Sequence, residues 1–210
     1  MPVSYTAQVP TSSITSLSWT NATASLISRS PFTFQGQSQS YPGAIRYASI
    51  SVGNLNREDA EDWVGFLDSL YGTSGTFLFG DPMAKVPMGT ARGTALVNAV
   101  NSATRDIITA KNVPTTGSQS GFLKRGDWIQ LGTGLNSRLY KVVSNVNKNN
   151  TTGVTSNIHL WPAFRITALV DDVITFENPK GLFRRSSGTF NYSEENGCIY
   201  SLSFDCEEVI

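Results

Sequence analysis

Residues 45–82, IRYASISVGNLNREDAEDWVGFLDSLYGTSGTFLFGDP, change their hydrophobic period twice, and that change decides the fold class. In the first part Ile45, Tyr47, Ser49 and Ser51 oppose Arg46, Ala48, Ile50 and Val52, the two-residue period of a strand. From Ala60 onward Trp63, Val64, Leu67, Leu70 and Tyr71 recur at spacings of three and four, which predicts one amphipathic helix over 56–71. Asn56 suits the N-cap, Glu58 and Asp59 put negative charge in the first turn, and Gly72 offers a left-handed terminator. Burying five large side chains gives about 8–15 kcal/mol of gross stabilisation before entropy, so this helix is expected to lie on a sheet. Gly75-Thr76-Phe77-Leu78-Phe79-Gly80-Asp81-Pro82 then reads as a short apolar strand closed by a turn, where Pro82 removes a ladder donor.

Outward from this stretch the texture is that of a β protein. Short alternating runs at 14–19, 24–27 and 32–34 precede it. From Met88 to Ser120 the chain is small and polar, punctuated by Gly89, Gly93 and Gly117, with weak strands at 95–100 and 105–110. Stronger strands follow at 128–131, 138–143 and 158–161 around a polar turn at 147–153, which together predict a small β-barrel or sandwich. Val173-Ile174-Thr175-Phe176 and the run 199–205 are expected to return to the first sheet. The expected organisation is therefore a main β-sandwich with one flanking α-helix, built from 1–88 and 169–210, interrupted by a small β-domain inserted at 89–168.

Composition narrows the function. The chain has 210 residues, with 16 basic and 16 acidic side chains, so no cationic excess is available to neutralise phosphates and nucleic-acid recognition is not expected. Charged residues make up 15% of the chain, against about 25% in an ordinary soluble domain. Such a surface is expected to be covered in part by neighbours. The opening residues lack a basic stretch followed by an apolar one, and nowhere do 18 apolar residues run together, so neither a secretory leader nor a membrane span is expected. Cys198 and Cys206 lie too far apart along an extended strand to bond directly, and both are read as reduced, buried thiols in a chain that folds in a reducing cytoplasm.

The residues offer little chemistry. The single histidine, His159, shares a strand face with Asn157 and Trp161 and reads as a surface or interface residue; no G-x-S-x-G elbow accompanies it. One His and two Cys fall short of a zinc site. The acidic groups Glu58, Asp59, Glu61 and Asp62, Asp171-Asp172, Glu194-Glu195, and Asp205, Glu207 and Glu208 read as caps, turns and solvated faces rather than a glycosidase dyad. Gly132-Thr133-Gly134 lacks the helix and Lys-Ser/Thr of a phosphate cradle. No catalytic residue, cofactor or metal is assigned. Trp19, Trp63, Trp128, Trp161, Tyr41, Tyr47 and Tyr140 leave open a carbohydrate-binding surface, although Trp63, Leu67, Leu70, Trp128 and Trp161 read first as structural core.

Several stretches, taken in order, resemble the distal tail protein family of long-tailed bacteriophages, which forms the tail-tip ring. They are residues 31–43 (PFTFQGQSQSYPG), the helix with Trp63 and Phe66-Leu67, Leu70-Tyr71-Gly72 leading to Gly75-Thr76-Phe77 and Gly80-Asp81-Pro82, Gly126-Asp127-Trp128-Ile129-Gln130-Leu131 with Leu139-Tyr140-Lys141-Val142, and Leu160-Trp161-Pro162-Ala163-Phe164-Arg165. The resemblance covers residues 30–210. It implies a tail-tube-like β-sandwich carrying a small inserted β-barrel or sandwich, assembled as a hexameric ring in the tail tip of the virion. That ring would connect the tail tube protein to hub and baseplate proteins, would have the tape measure protein and side fibres as further neighbours, and would support the host-adsorption apparatus as a structural, non-enzymatic part. The competing reading is a carbohydrate-binding host-adhesion module of the same tail tip; a tail-tube or other minor tail protein is a second structural one. On the ring reading residues 31–43, with Phe34, Gln35, Gln37, Gln39 and Tyr41, form an interprotomer or channel-facing hairpin, since QGQSQS is polar on both strand faces. Residues 1–30 are expected to be an arm reaching a neighbour.

Overall fold

The computed structural model describes residues 6–7, 9–10, 14–164, 170–195 and 199–209. The chain is mainly β. In order, its elements are β1 (Thr6–Ala7), β2 (Ile14–Arg29), β3 (Gly36–Leu55), α1 (Arg57–Ser69), β4 (Thr76–Phe79), β5 (Thr94–Val100), β6 (Ile107–Lys111), β7 (Trp128–Leu131), β8 (Arg138–Val142), β9 (Lys148–Asn149), β10 (Val154–Thr155), β11 (Ile158–Trp161), β12 (Val173–Thr175), β13 (Gly181–Arg185), β14 (Asn191–Glu195) and β15 (Ile199–Glu208).

Seven strands form one sheet in the order β1-β4-β13-β15-β3-β2, with β14 pairing the first half of β15. The alternation read at 45–52 sets its two faces. Arg46, Ala48, Ile50 and Val52 are buried, and register places Asn21, Trp19 and Leu17 of β2 and Cys206, Phe204 and Leu202 of β15 beside them. Helix α1 covers this face: Trp63 lies 6.0 Å from Phe204 and Phe66 lies 5.4 Å from Phe77, ring to ring. Asn56 caps the helix as its side chain suggests, accepting from the Asp59 N–H at 2.8 Å. The expected apolar stripe is shifted at its end. Tyr71 turns into the left-handed region (φ 48°) and is exposed, and Phe66 takes the buried place assigned to it. A strict three-four count cannot see that α1 stops at Ser69, before Tyr71.

Cys206 has no exposure and its thiol donates to the Ala48 carbonyl at 3.4 Å. Burial pushes its pKa up from 9.0 to about 12, the neighbouring Asp205 and Glu207 adding to the rise and the hydrogen bond opposing it. The neutral thiol is therefore the folded form, and its share of stability is intact below pH 9.0 and is lost as pH climbs through 9.0 toward about 12. Peptide mapping after alkylation at pH 8 should find Cys206 modified only as fast as the protein unfolds. Rapid labelling of the native chain at that position would contradict this burial. Cys198 lies outside the described residues.

The second unit is a closed six-stranded barrel, β11-β6-β5-β12-β7-β8. Inward-facing Ile129, Leu131, Tyr140, Val142, Ile158, Leu160 and Ile174 fill it, with Phe122 and Phe176 in edge-to-face contact at 5.5 Å. One boundary differs from expectation. The 173–175 strand does not rejoin the main sheet; it pairs with β5 and β7 and completes the barrel, so the main sheet resumes only at Gly181. Its run of apolar residues suits either core, and the deciding information is pairing, which sequence period does not carry.

The barrel departs from the main sheet between β4 and β13, which pair with each other. At this stem a Cβ on Gly80 would stand 2.1 Å from the Pro179 carbonyl oxygen, so only glycine fits. Asp127 clasps the entry, accepting from the backbone N–H of Met88 (2.7 Å), Gly89 (3.1 Å) and Lys124 (2.8 Å). Two expected core residues also move. Trp128 alternates out of the barrel and joins the main core, 5.5 Å from Trp19. Trp161, outward for the same reason of strand parity, is half-buried and belongs to neither core cluster. Tyr140, weighed as a sugar-stacking ring, is inward and packs on Phe164 at 5.6 Å.

Candidate assembly surface and inter-unit cleft

The β2–β3 hairpin outruns the sheet. β15 pairs β3 only from Tyr47 to Leu55, so beyond it the rungs from Ser25↔Ser40 to Arg29↔Gly36 form a free two-stranded ribbon, about 15 Å of added reach. Residues 23–29 and 31–41 are exposed, on both faces of the ribbon. At its root β3 bulges, Tyr41-Pro42-Gly43 lying opposite the single Ala24, and the bulge accommodates a proline that has no N–H to give to the ladder. At its tip the Ser30 and Gln35 backbones close the loop (3.0 Å), the Ser30 hydroxyl accepts from Phe32 and Thr33, and Phe34 is held in the left-handed region at φ 55°. That conformation costs a non-glycine residue about 1–2 kcal/mol.

Phe34, Gln35, Gln37, Gln39 and Tyr41 are therefore together on this ribbon and all exposed, Phe34 at 81% and Tyr41 at 48%. The segment differs from its sequence reading in two ways. Residues 32–34 form no strand: 31–33 are a turn and Phe34 follows it, because Pro31 and the Ser30 hydroxyl stabilise the bend. The ribbon is also less polar than QGQSQS alone implies: Gln39 pairs with Leu26 and Ser38 with Ile27, and those two apolar side chains, 58% and 61% exposed, point to opposite faces. The 14–29 segment, expected as an arm, is the other half of the hairpin and an edge strand of the main sheet. A two-stranded ribbon is marginal in water by itself, and this one ends in Phe32, 92% exposed.

The uncovered sheet face is built of hydroxyls and short polar groups. Rows of register partners read Ser16–Ser51–Ser203–Asn191, Ser18–Ser49–Asp205, and Thr20–Tyr47–Glu207–Arg184. Ser49 donates to Asp205, and Arg184 pairs with Glu207 at 2.8 Å. Glu207 thus has a cationic partner on this face, while Asp205 is held by a hydroxyl. Among the described residues the outer edge of β2 and that of β14 pair with nothing.

A different kind of site lies where the barrel meets the root of the hairpin. Arg46, fully buried on the apolar face of β3, donates to the Leu139 carbonyl at 2.8 Å and to Asn21 at 3.3 Å. Its guanidinium lies 4.6 Å from the Trp128 ring centroid and 5.0 Å from that of Trp161. Lys141 sits 4.8 Å from the Trp128 ring. Beside this stack opens a cleft of about 330 Å³, lined by Asn21, Thr23, Arg125, Lys141, Val143 and Trp161. Sequence reading leaves Trp128 and Trp161 open as sugar-stacking rings but misses Arg46 and Lys141, although one signal is present: Arg46 is the one charged residue among Ala48, Ile50 and Val52 on a core-facing strand.

Elsewhere the chemistry is sparse. His159 is half-buried beside Ile107 in the barrel wall. Among the described residues no group of three or more His, Cys, Asp and Glu side chains can hold a metal ion, and no helix is long and apolar enough to cross a membrane. No family model matches the chain, and no curated protein matches it either.

Proposed function

We propose that the chain is a structural subunit of a phage tail tip that assembles into a ring between the tail tube and the hub, acts without catalysis, and folds in the host cytoplasm before joining the virion. The observation that carries this reading is the ribbon at 23–41: an exposed two-stranded extension with apolar residues on both faces and two phenylalanines at its tip is a surface that needs a neighbour. Three further features support it. The free edges of β2 and β14 lie on opposite sides of the sheet, so that one protomer's β2 continuing onto the next protomer's β14 is a heterologous contact that closes into a ring. The hydroxyl-rich face then lines the inside, presenting mostly uncharged polar groups to whatever passes through. The sheet with its helix takes the part of the tail-tube-like sandwich, and the barrel faces outward. Tube and hub proteins are the expected axial partners, with the tape measure protein and side fibres near them.

The test is assembly. In light scattering over a concentration series, alone and beside the neighbouring tail proteins, the intact chain should form a closed ring, and the double variant Phe32→Ser/Phe34→Gly should remain a folded monomer. Relieving the left-handed strain at Phe34 should leave its unfolding midpoint unchanged or slightly raised, which separates lost assembly from lost folding. A monomer under every condition would sink the ring reading.

A second reading, a carbohydrate-binding adhesion module of the tail tip, is favoured by the aromatic and cationic cleft between barrel and hairpin root.

A further inference from the structure

We infer that this cleft is a binding site for an anionic saccharide, with the sugar ring laid against Trp161 and its carboxylate or phosphate held by Lys141 and Arg125. The inference deepens the adhesion reading and is independent of ring assembly.

Charge is the first reason. The chain is neutral and poor in ionic groups, yet the cleft gathers Lys141 and Arg125 beside the buried Arg46, and among the described residues no carboxylate lines it. Neither the Lys141 nor the Arg125 side chain makes an ion pair among the described residues, in contrast to Lys111 with Asp171 (2.5 Å) and Arg184 with Glu207 (2.8 Å). The nearest acid in sequence, Asp127, is 3% exposed and its oxygens are committed to three backbone N–H groups. Lys141 and Arg125, which line one cleft and make no ion pair among the described residues, favour an anion from outside.

The second reason is the shape and character of the walls. Trp161 is half-buried and kept in place by the guanidinium of Arg46, which is itself fixed by Leu139 and Asn21. A rigid indole at the edge of an open cleft offers the flat apolar surface on which the C–H face of a pyranose stacks. Asn21 and Thr23 supply an amide and a hydroxyl on the facing wall, the donor and acceptor types that sugar hydroxyls use, and Val143 at 45% exposure continues the apolar rim. The space, about 330 Å³, holds one or two sugar rings rather than a folded partner. An acidic peptide would use the cations but has no need of the indole platform.

The experiment uses the full chain with three probes: a glucuronate-containing oligosaccharide, a phosphorylated oligosaccharide and a neutral oligosaccharide of equal length. Titration followed by tryptophan fluorescence and calorimetry should show saturable binding of one or both acidic probes and none of the neutral one; which acidic probe binds more tightly identifies carboxylate or phosphate as the preferred group. Lys141→Gln and Arg125→Gln should each weaken that binding about tenfold, and Trp161→Ala should abolish it. All three lie outside the two cores, and unchanged unfolding midpoints for the glutamine variants guard against a folding artefact. Failure of both acidic probes to bind, acidic binding untouched by these variants, or equal affinity for a glutamate-rich peptide would overturn the inference. Binding of the neutral sugar in all variants alike would do the same while leaving the adhesion reading standing on another surface.

Discussion

Arg46→Ala lowers the unfolding free energy by about 2–4 kcal/mol, the largest expected effect of any single side chain outside the apolar cores. The substitution removes a charged donor from the Leu139 carbonyl and leaves that buried acceptor unpaired. It also deletes the cation between Trp128 and Trp161, a contact worth about 0.5–2 kcal/mol per ring when desolvated. Opposing these losses is the cost of keeping a guanidinium away from water, which the variant no longer meets. Arg46→Met separates the two sides: it keeps most of the volume without the charge, so its expected cost is smaller, about 1–2 kcal/mol. Urea unfolding followed by far-ultraviolet circular dichroism reads the stability. Because Arg46 joins β3 of the sheet to β8 of the barrel, Arg46→Ala should also split one cooperative transition into two. A cost under about 0.5 kcal/mol for Arg46→Ala would mean that this stack is not what couples the units.

The same residue marks how far the sequence could be read. The period at 45–52 gave the right face for Arg46, since Ala48, Ile50 and Val52 beside it are buried too. What period cannot supply is the partner. The Leu139 carbonyl comes from a strand far along the chain, and nothing local to either residue announces their meeting. Helix α1 was legible almost whole, because Asn56, Glu58, Asp59 and the spacing of Trp63, Leu67 and Leu70 are all local signals. The ribbon was legible only on one side. The polar alternation of residues 35–40 marked an uncovered strand, whereas the apolar Leu26 and Ile27 opposite it looked like the start of a core strand. Of the cleft only the rings were legible, Trp128 and Trp161 as candidate sugar platforms: Trp128, Lys141 and Trp161 lie outward on β7, β8 and β11, and their convergence over Arg46 follows from barrel closure and from docking of the barrel on the sheet.

Cutting the molecule at its stem should give an unequal result. A fragment spanning residues 85–178 carries every strand of the barrel and its own filled interior. Its ends already meet, since the Asn178 N–H donates to the Lys85 carbonyl at 2.6 Å. It is therefore expected to fold alone, with dispersed amide resonances and a cooperative melt, losing mainly the contacts of outward-facing Trp128 and Leu139. The complementary deletion of residues 81–179 joins Gly80 to Lys180 and leaves Phe79↔Gly181 as the last rung of a two-residue hairpin with glycine first, the arrangement a type II′ turn requires. Geometry permits that sheet, but energy is against it. Removing Trp128 and Leu139 uncovers Trp19 and Phe183 and costs about 3–6 kcal/mol of apolar burial, a large part of the 5–15 kcal/mol that holds a whole domain. Arg46 would lose its carbonyl partner at the same time. The deleted chain should therefore be marginal or molten, and Arg46→Met placed within it should recover part of the loss by removing the charge that the barrel had satisfied. A barrel fragment that fails to fold, or a deleted sheet as stable as the intact chain, would show that the two units are not related as an autonomous barrel and a sheet that leans on it.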